Sequence, residues 1–226
     1  LEALKGIFRG SHNKNIPKDT LLPVYIFDRS YGGDAVLSNI PKKELFTKNY
    51  EYINVFMERD SINELLFEGL KKLKEWKDTQ FRIHNINQYN LANLDFDLDR
   101  QVPNLVITYE PYLTRLKKKG FTLVESTKND KLLVFDFLSI KEGLLNDEQI
   151  KKLQEILKRS ENELKKDARS FYNVVGLYFE GLGFEEFKAA LEGIKLNSDK
   201  DINKQMISFI EKEKVTGLLK YIKREY

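Results

Sequence analysis

The sequence predicts an α+β fold: an N-terminal mixed or antiparallel sheet with two or three helices over residues 1–139, followed by an α-helical domain over 140–226. Three observations carry this. Before Ser139, apolar residues alternate with polar ones or run unbroken through LLPVYIFD and NLVITY, the spacings of half-buried and buried strands. A few apolar stripes of helical period interrupt those runs. Beyond Ser139 the period lengthens to that of a helix and stays there to the end of the chain.

The elements follow in order. Residues 21–28 are rich in β-branched and aromatic types and predict a strand, with Pro23 placing it at a sheet edge or starting it. The SYGGD segment, 30–34, is a turn with two glycines free to take positive φ. A short helix is expected over 41–46 and a second strand over 50–57. Ser61 and Glu64 have the spacing of a capping box, and Ile62, Leu65, Leu66, Leu70, Leu73 and Trp76 form one stripe, so a helix covers 62–76. Alternation around Phe81 and Ile83 predicts a third strand, and polar residues 85–93 follow it. NLVITY, 104–109, has too few polar residues for a half-exposed strand and is expected at the centre of a sheet.

Pro111 opens a helix over 112–119, which Gly120 ends. Runs 121–126 and 132–138 are expected to pair as a hairpin across a five-residue loop. Asn146 and Gln149 cap a long charged helix whose apolar face is Ile150, Leu153, Ile156, Leu157 and Leu164. Further helices are expected over 168–179, 184–194, 202–212 and 217–224. Phe171, Val174, Val175, Leu177, Tyr178 and Phe179 are so crowded that burial between helices, in a bundle core or at a subunit interface, is expected.

Composition narrows the chemistry. With no cysteine among 226 residues, disulfides, thiol nucleophiles, zinc–thiolate sites and iron–sulfur clusters are excluded. The absence fits a reducing compartment, and a cytoplasmic protein is expected. No apolar run approaches the ~20 residues of a membrane span. Residues 1–139 carry 21 basic and 19 acidic side chains and the remainder 17 and 16, so no global basic field points to nucleic acid. Any such contact depends on local patches.

The most distinctive run is Leu94-Asp95-Phe96-Asp97-Leu98-Asp99-Arg100. As a strand it places Asp95, Asp97 and Asp99 on one face, where three carboxylates suit magnesium or manganese and phosphoryl-transfer chemistry. The alternative is a solvated face that discourages edge pairing, with Arg100 as counter-charge. Asp28, Glu110, Glu125 and Asp136 are carboxylates at or near other strand ends that would complete a cation shell if the sheet gathers them. His84, one of two histidines, is the candidate general acid or base; His12 lies in a polar loop. Ser30 to Gly33 lacks the lysine and spacing of a P-loop.

Arg115, Lys117, Lys118 and Lys119 form a basic patch suited to phosphate backbones, and Lys71, Lys72, Lys74 and Lys77 form a second. A lysine-rich outer helix face is equally their ordinary explanation. The leading expectation is a non-catalytic intracellular binding protein, such as an accessory protein of a bacterial or mobile-element system. It acts through a protein partner or self-association of the C-terminal helices, with nucleic acid as a further partner and no cofactor. The alternative is a metal-dependent nuclease or other phosphoryl-transfer enzyme built on the Asp95 face.

Overall fold

The computed structural model describes residues 21–76, 81–96, 102–178, 181–197 and 208. They form an α+β fold of two sheets and seven helices, divided into two compact units.

The first unit takes its described residues from 21–29, 135–178, 181–184 and 194–197. Strands β1 (Leu21–Ser30), β7 (Phe135–Lys141) and β8 (Ile194–Leu196) form a sheet in the order β7-β1-β8. β1 is therefore central, not an edge strand. It tolerates Pro23 because the antiparallel register with β7 shifts between Pro23 and Tyr25, where a bulge removes the need for a ladder N–H.

Helix α5 (Asp147–Lys166) starts on the expected capping box: Gln149 N–H donates to Asn146 Oδ1 at 2.9 Å and Asn146 N–H to Gln149 Oε1 at 3.0 Å. Its Ile150 packs with Val24 and Ile140. The buried face is more polar than the apolar stripe suggests. Gln154 Nε2 donates to Val24 O at 2.7 Å and Glu161 accepts from Tyr25 Oη at 2.7 Å, while Ile156 is exposed. Helix α6 (Ala168–Val175) follows, capped by Asp167.

The two helices between Asp147 and Val175 thus share their unit with a sheet, and the described residues beyond Ser139 do not form an all-helical body. Of the two expectations for the crowded apolar segment, a bundle core is not what the described residues form. No residue of α6 is buried, and Leu177 and Tyr178 beyond it are 82% and 80% exposed. The expected helices over 202–212 and 217–224 lie outside the described residues, Ser208 excepted.

The second unit comprises residues 30–134 and 185–193. Its sheet has the order β4-β3-β5-β2-β6, from β2 (Asp34–Ser38), β3 (Ile53–Met57), β4 (Phe81–Asn85), β5 (Asn104–Tyr109) and β6 (Thr122–Ser126). β3 pairs in parallel with both β4 and β5, and β2 runs antiparallel to β5 and β6. The predicted hairpin does not form: β6 pairs with β2, and β7 pairs with β1 in the other sheet. Leu132 and Val134, between β6 and β7, are buried instead of turning the chain back on itself.

One sheet face carries α1 (Lys42–Thr47) and α2 (Ile62–Lys74). There Leu66, Phe67 and Leu70 close over Val36, Val55, Met57, Leu105 and Ile107. The other carries α3 (Gln88–Asn93) and α4 (Tyr112–Lys118), whose Leu91, Leu113 and Leu116 cover Ala35, Leu37 and Val106. β2 and α3 were not expected from the sequence. β2 is buried at every residue and too short to show alternation, and α3 is a six-residue helix, half of it Asn or Gln, whose first turn is capped by Asn87 accepting from Asn90 N–H at 2.8 Å. Helix α7 (Phe184–Glu192) returns most of its length to this unit.

Candidate functional site

In open sheets with parallel strands, the crevice for a ligand lies beyond the carboxyl ends of two adjacent strands whose connections leave in opposite directions. In the five-stranded unit those strands are β3, which leads through α2 to β4 on one side, and β5, on the other. Cα pairing between them runs out at Phe56↔Val106. Just past it, Ile107 O accepts a side-chain hydrogen bond from Gln88 Nε2 at 3.3 Å.

Two buried amides meet this edge from opposite faces. Gln88, at the start of α3, is 2% exposed, and its Oε1 has no hydrogen-bond partner among the described residues. Asn63, in the first turn of α2, is fully buried, and neither its Oδ1 nor its Nδ2 is hydrogen-bonded among the described residues. Asn63 is one turn ahead of Leu66 and Phe67 on the face of α2 that covers the sheet. Because α2 runs back from the end of β3, that first turn sits over the carboxyl edge. An unpaired buried amide costs about 1–3 kcal/mol, so two of them beside one crevice mark a place where a polar group belongs.

The edge is also acidic and aromatic. Asp34 and Tyr109 are direct cross-strand partners, and Glu58 follows Met57 at the end of β3. Burial, then Glu58, Tyr112 and Asp34, push the Tyr109 phenol up to about 12. The rings of Tyr109 and Tyr112 meet edge to face at 5.7 Å. Glu110, joined to Pro111 by a cis peptide, accepts from Thr114 N–H at 3.1 Å and Thr114 Oγ1 at 2.9 Å. Burial nevertheless raises its carboxyl pKa.

The SYGGD turn closes the edge at β2. Ser30 Oγ and Thr127 Oγ1 share a 2.7 Å hydrogen bond, Gly32 N–H donates to Thr127 Oγ1 at 2.9 Å, and Tyr31 and Gly33 N–H groups both donate to Gly193 O. Gly33 and Gly193 press together so closely that a Cβ on Gly193 would lie 2.7 Å from Gly33 Cα.

No family model matches the chain, and no curated protein matches it. Nine chains among solved structures match it, two of which illustrate the likeness. One is the ligand-binding component of an ABC-type import system from Staphylococcus aureus with zinc bound, at TM-score 0.58 and 14% identity over 95% of this chain and 72% of the other. The second is protein AF1704 from Archaeoglobus fulgidus, also at TM-score 0.58 and 14% identity, over 95% of this chain and 84% of the other. At this identity the likeness is one of fold.

Of the described residues singled out from sequence, Glu110 lies at this edge and the others lie elsewhere. His84 is exposed on edge strand β4, its ring stacked on Phe56 at 4.5 Å and its Nε2 3.2 Å from Asn54 Oδ1. Residues 94–96 are not a strand; Leu94 and Phe96 pack inward and Asp95 is exposed. Asp97 and Asp99 lie outside the described residues, and His12 with them. Asp28 and Asp136 are register partners in the first unit, whereas Glu110 and Glu125 belong to the second. Among the described residues no three His, Asp or Glu side chains gather as a metal site.

The basic patch on α4 is partly engaged. Arg115 donates from Nε to Glu186 Oε1 at 3.1 Å and from Nη2 to Oε2 at 2.9 Å, and Lys119 Nζ donates to Leu94 O at 3.0 Å. Lys117 and Lys118 are exposed. In the other patch, Lys71 pairs with Glu68 at 2.8 Å and Lys74 stands 4.0 Å from Glu125; Lys77 lies outside the described residues.

Sequence reasoning passed over Asn63, Gln88, Asp34 and Tyr109. One signal was present for Asn63: it stands three, four and seven residues before Leu66, Phe67 and Leu70, so a polar residue occupies the apolar stripe.

Proposed function

We propose that the chain is a non-catalytic binding protein that holds a small ligand at the carboxyl edge of its five-stranded sheet. The observation that carries this reading is the pair of buried amides, Asn63 and Gln88, with unpaired polar atoms beside the end of the β3–β5 pairing. Such groups are retained where something else completes them. The fold it shares with the ligand-binding component from Staphylococcus aureus supports the same class of activity. Among the described residues, no helix is long and apolar enough to cross a membrane.

The test is thermal unfolding of the dialysed full chain against a panel of cationic, neutral and anionic metabolites. A ligand at a hundred times its Kd adds about 2.7 kcal/mol, a shift of several degrees. A panel in which nothing raises the midpoint counts against the reading.

A second reading, self-association, is favoured by the exposed apolar end of α6, where Val174 is 58% exposed and Leu177 and Tyr178 more so. It predicts a dimer in sedimentation velocity that Leu177→Glu converts to monomer. A wild-type monomer at high concentration removes it.

A further inference from the structure

We infer that one face of β3 and β4, at the edge of the five-stranded sheet, is a docking surface for single-stranded nucleic acid. Arg82 and His84 are the planes on which two bases stack. This surface does not depend on the carboxyl-edge site above.

Strand alternation builds the platform. The register Asn54↔Arg82 and Phe56↔His84 puts Arg82 and His84 of edge strand β4 on the same face as Asn54 and Phe56. Both are exposed, and both are held flat. The Arg82 guanidinium carbon is 3.3 Å from the centre of the Tyr52 ring, a separation reached only when the group lies face-on, and the His84 ring stacks on Phe56 at 4.5 Å and 12°. Each exposed plane is thus backed by a protein ring. Residues two apart on a strand are about 6.6 Å apart, so the planes take consecutive unstacked bases. Hydrogen bonds prepare His84 further. Asn54 Nδ2 donates to Asn104 Oδ1 at 3.0 Å, which leaves Asn54 Oδ1 to accept from His84 Nε2 at 3.2 Å. The neutral ring therefore carries its proton on Nε2 and keeps Nδ1 as an acceptor for a base amino group.

Charge favours the same occupant. Among the described residues Arg82 lies on a ring and has no carboxylate partner, and the exposed Lys117 and Lys118 of α4 have none either. Helix α4 covers this same face of the sheet. A line of rings joins the two places, from Phe121 just past α4 to Phe96 at 5.0 Å, to Phe56 at 5.1 Å and on to His84. Lys119, whose Nζ donates to Leu94 O at 3.0 Å, flanks that line. A strand with two bases on β4 therefore meets lysines along its phosphates. Glu51 and Asp95, exposed next to Tyr52 and Phe96 in the sequence, oppose it in part. A duplex hides its base faces and cannot use the planes, so the surface selects single strands.

The experiment is fluorescence anisotropy of the full chain with labelled oligoadenylate and oligouridylate, a duplex of the same length, and polyphosphate as competitor. Single strands are expected to bind at about 50 mM salt, with the duplex at least about tenfold weaker. Arg82→Ala and His84→Ala each weaken binding about five- to 150-fold, the loss of one stacked base. His84→Phe keeps a flat ring on Phe56 and retains binding. Lys118→Ala lowers the salt slope by about 0.7, and Asp95→Asn tightens binding. Absence of binding at low salt overturns the proposal. So does a duplex that binds as well as the single strands, or a His84→Phe variant as weak as His84→Ala. Polyphosphate that displaces the single strands as well as unlabelled oligonucleotide does the same, because charge alone would then account for the binding.

Discussion

Replacing Asn63 by leucine isolates the feature on which the site depends. Leucine has the branched shape of asparagine, with methyl groups where the amide oxygen and nitrogen stood. Asn63 is fully buried and neither amide atom is hydrogen-bonded among the described residues, so the protein without ligand carries the desolvation cost of both groups. Removing that cost is worth about 1–3 kcal/mol, and the methyls add contacts with the Leu66, Phe67 and Met57 cluster. At about 2–4 °C per kcal/mol for a chain of this length, Asn63→Leu raises the midpoint by about 2–12 °C. Thermal and urea unfolding followed by Trp76 fluorescence are the assays, because the single tryptophan packs on Phe46 and Phe81 in this unit. The same variant loses ligand binding, the trade of stability against function expected at a site. An unfolding free energy lowered by about 1 kcal/mol or more at unchanged m-value refutes the reasoning, since it means that the amide is satisfied within the protein.

Other consequences are as specific. Gly193→Ala forces a Cβ against the Gly33 backbone and is expected to destabilise the five-stranded unit by about 1–3 kcal/mol, whereas Gly183→Ala, with open space around the new Cβ, stays within about 0.5 kcal/mol in the same urea assay. Glu110 has a native pKa raised by burial, so its contribution to stability is full below its unfolded pKa and is lost as pH rises through the higher native one. Glu110→Gln removes that loss, and its stability relative to wild type should improve between about pH 4 and about pH 7; a gap that is constant or shrinks contradicts the assignment. Tyr25→Phe deletes the 2.7 Å hydrogen bond to buried Glu161 and is expected to cost about 1.5–3 kcal/mol in the first unit, read by circular dichroism; a neutral change shows that Glu161 is held by other partners.

Much of the fold was legible because its signals are local. Asn146 and Gln149 start α5 with the hydrogen bonds their spacing implied, Ser61 starts α2, and the unbroken NLVITY run is the buried β5. The failures come where tertiary partners decide. Nothing within 121–138 tells β6 to pair with β2 and β7 with β1, since the residues that select those partners are far away in sequence. The α5 seam contains Gln154 and Glu161 because Val24 O and Tyr25 Oη answer them across the unit, which a count of apolar residues cannot anticipate.

The site was less legible still. Periodicity drew attention to Asp95, yet the described part of that run is an exposed carboxylate between two inward-packing side chains. The residues at the carboxyl edge come from β2, β3, α2, α3 and β5 and share no motif. Only the sheet order that sets β3 beside β5 brings them together.

Binding at that edge is tested most directly by mapping amide shifts of the full chain on addition of the compound that most raises its unfolding midpoint. The predicted result is a contiguous set of shifts at Asp34, Glu58, Asn63, Gln88 and Tyr109, abolished in Asn63→Leu. Saturable binding that leaves these five unmoved and shifts residues elsewhere would contradict it.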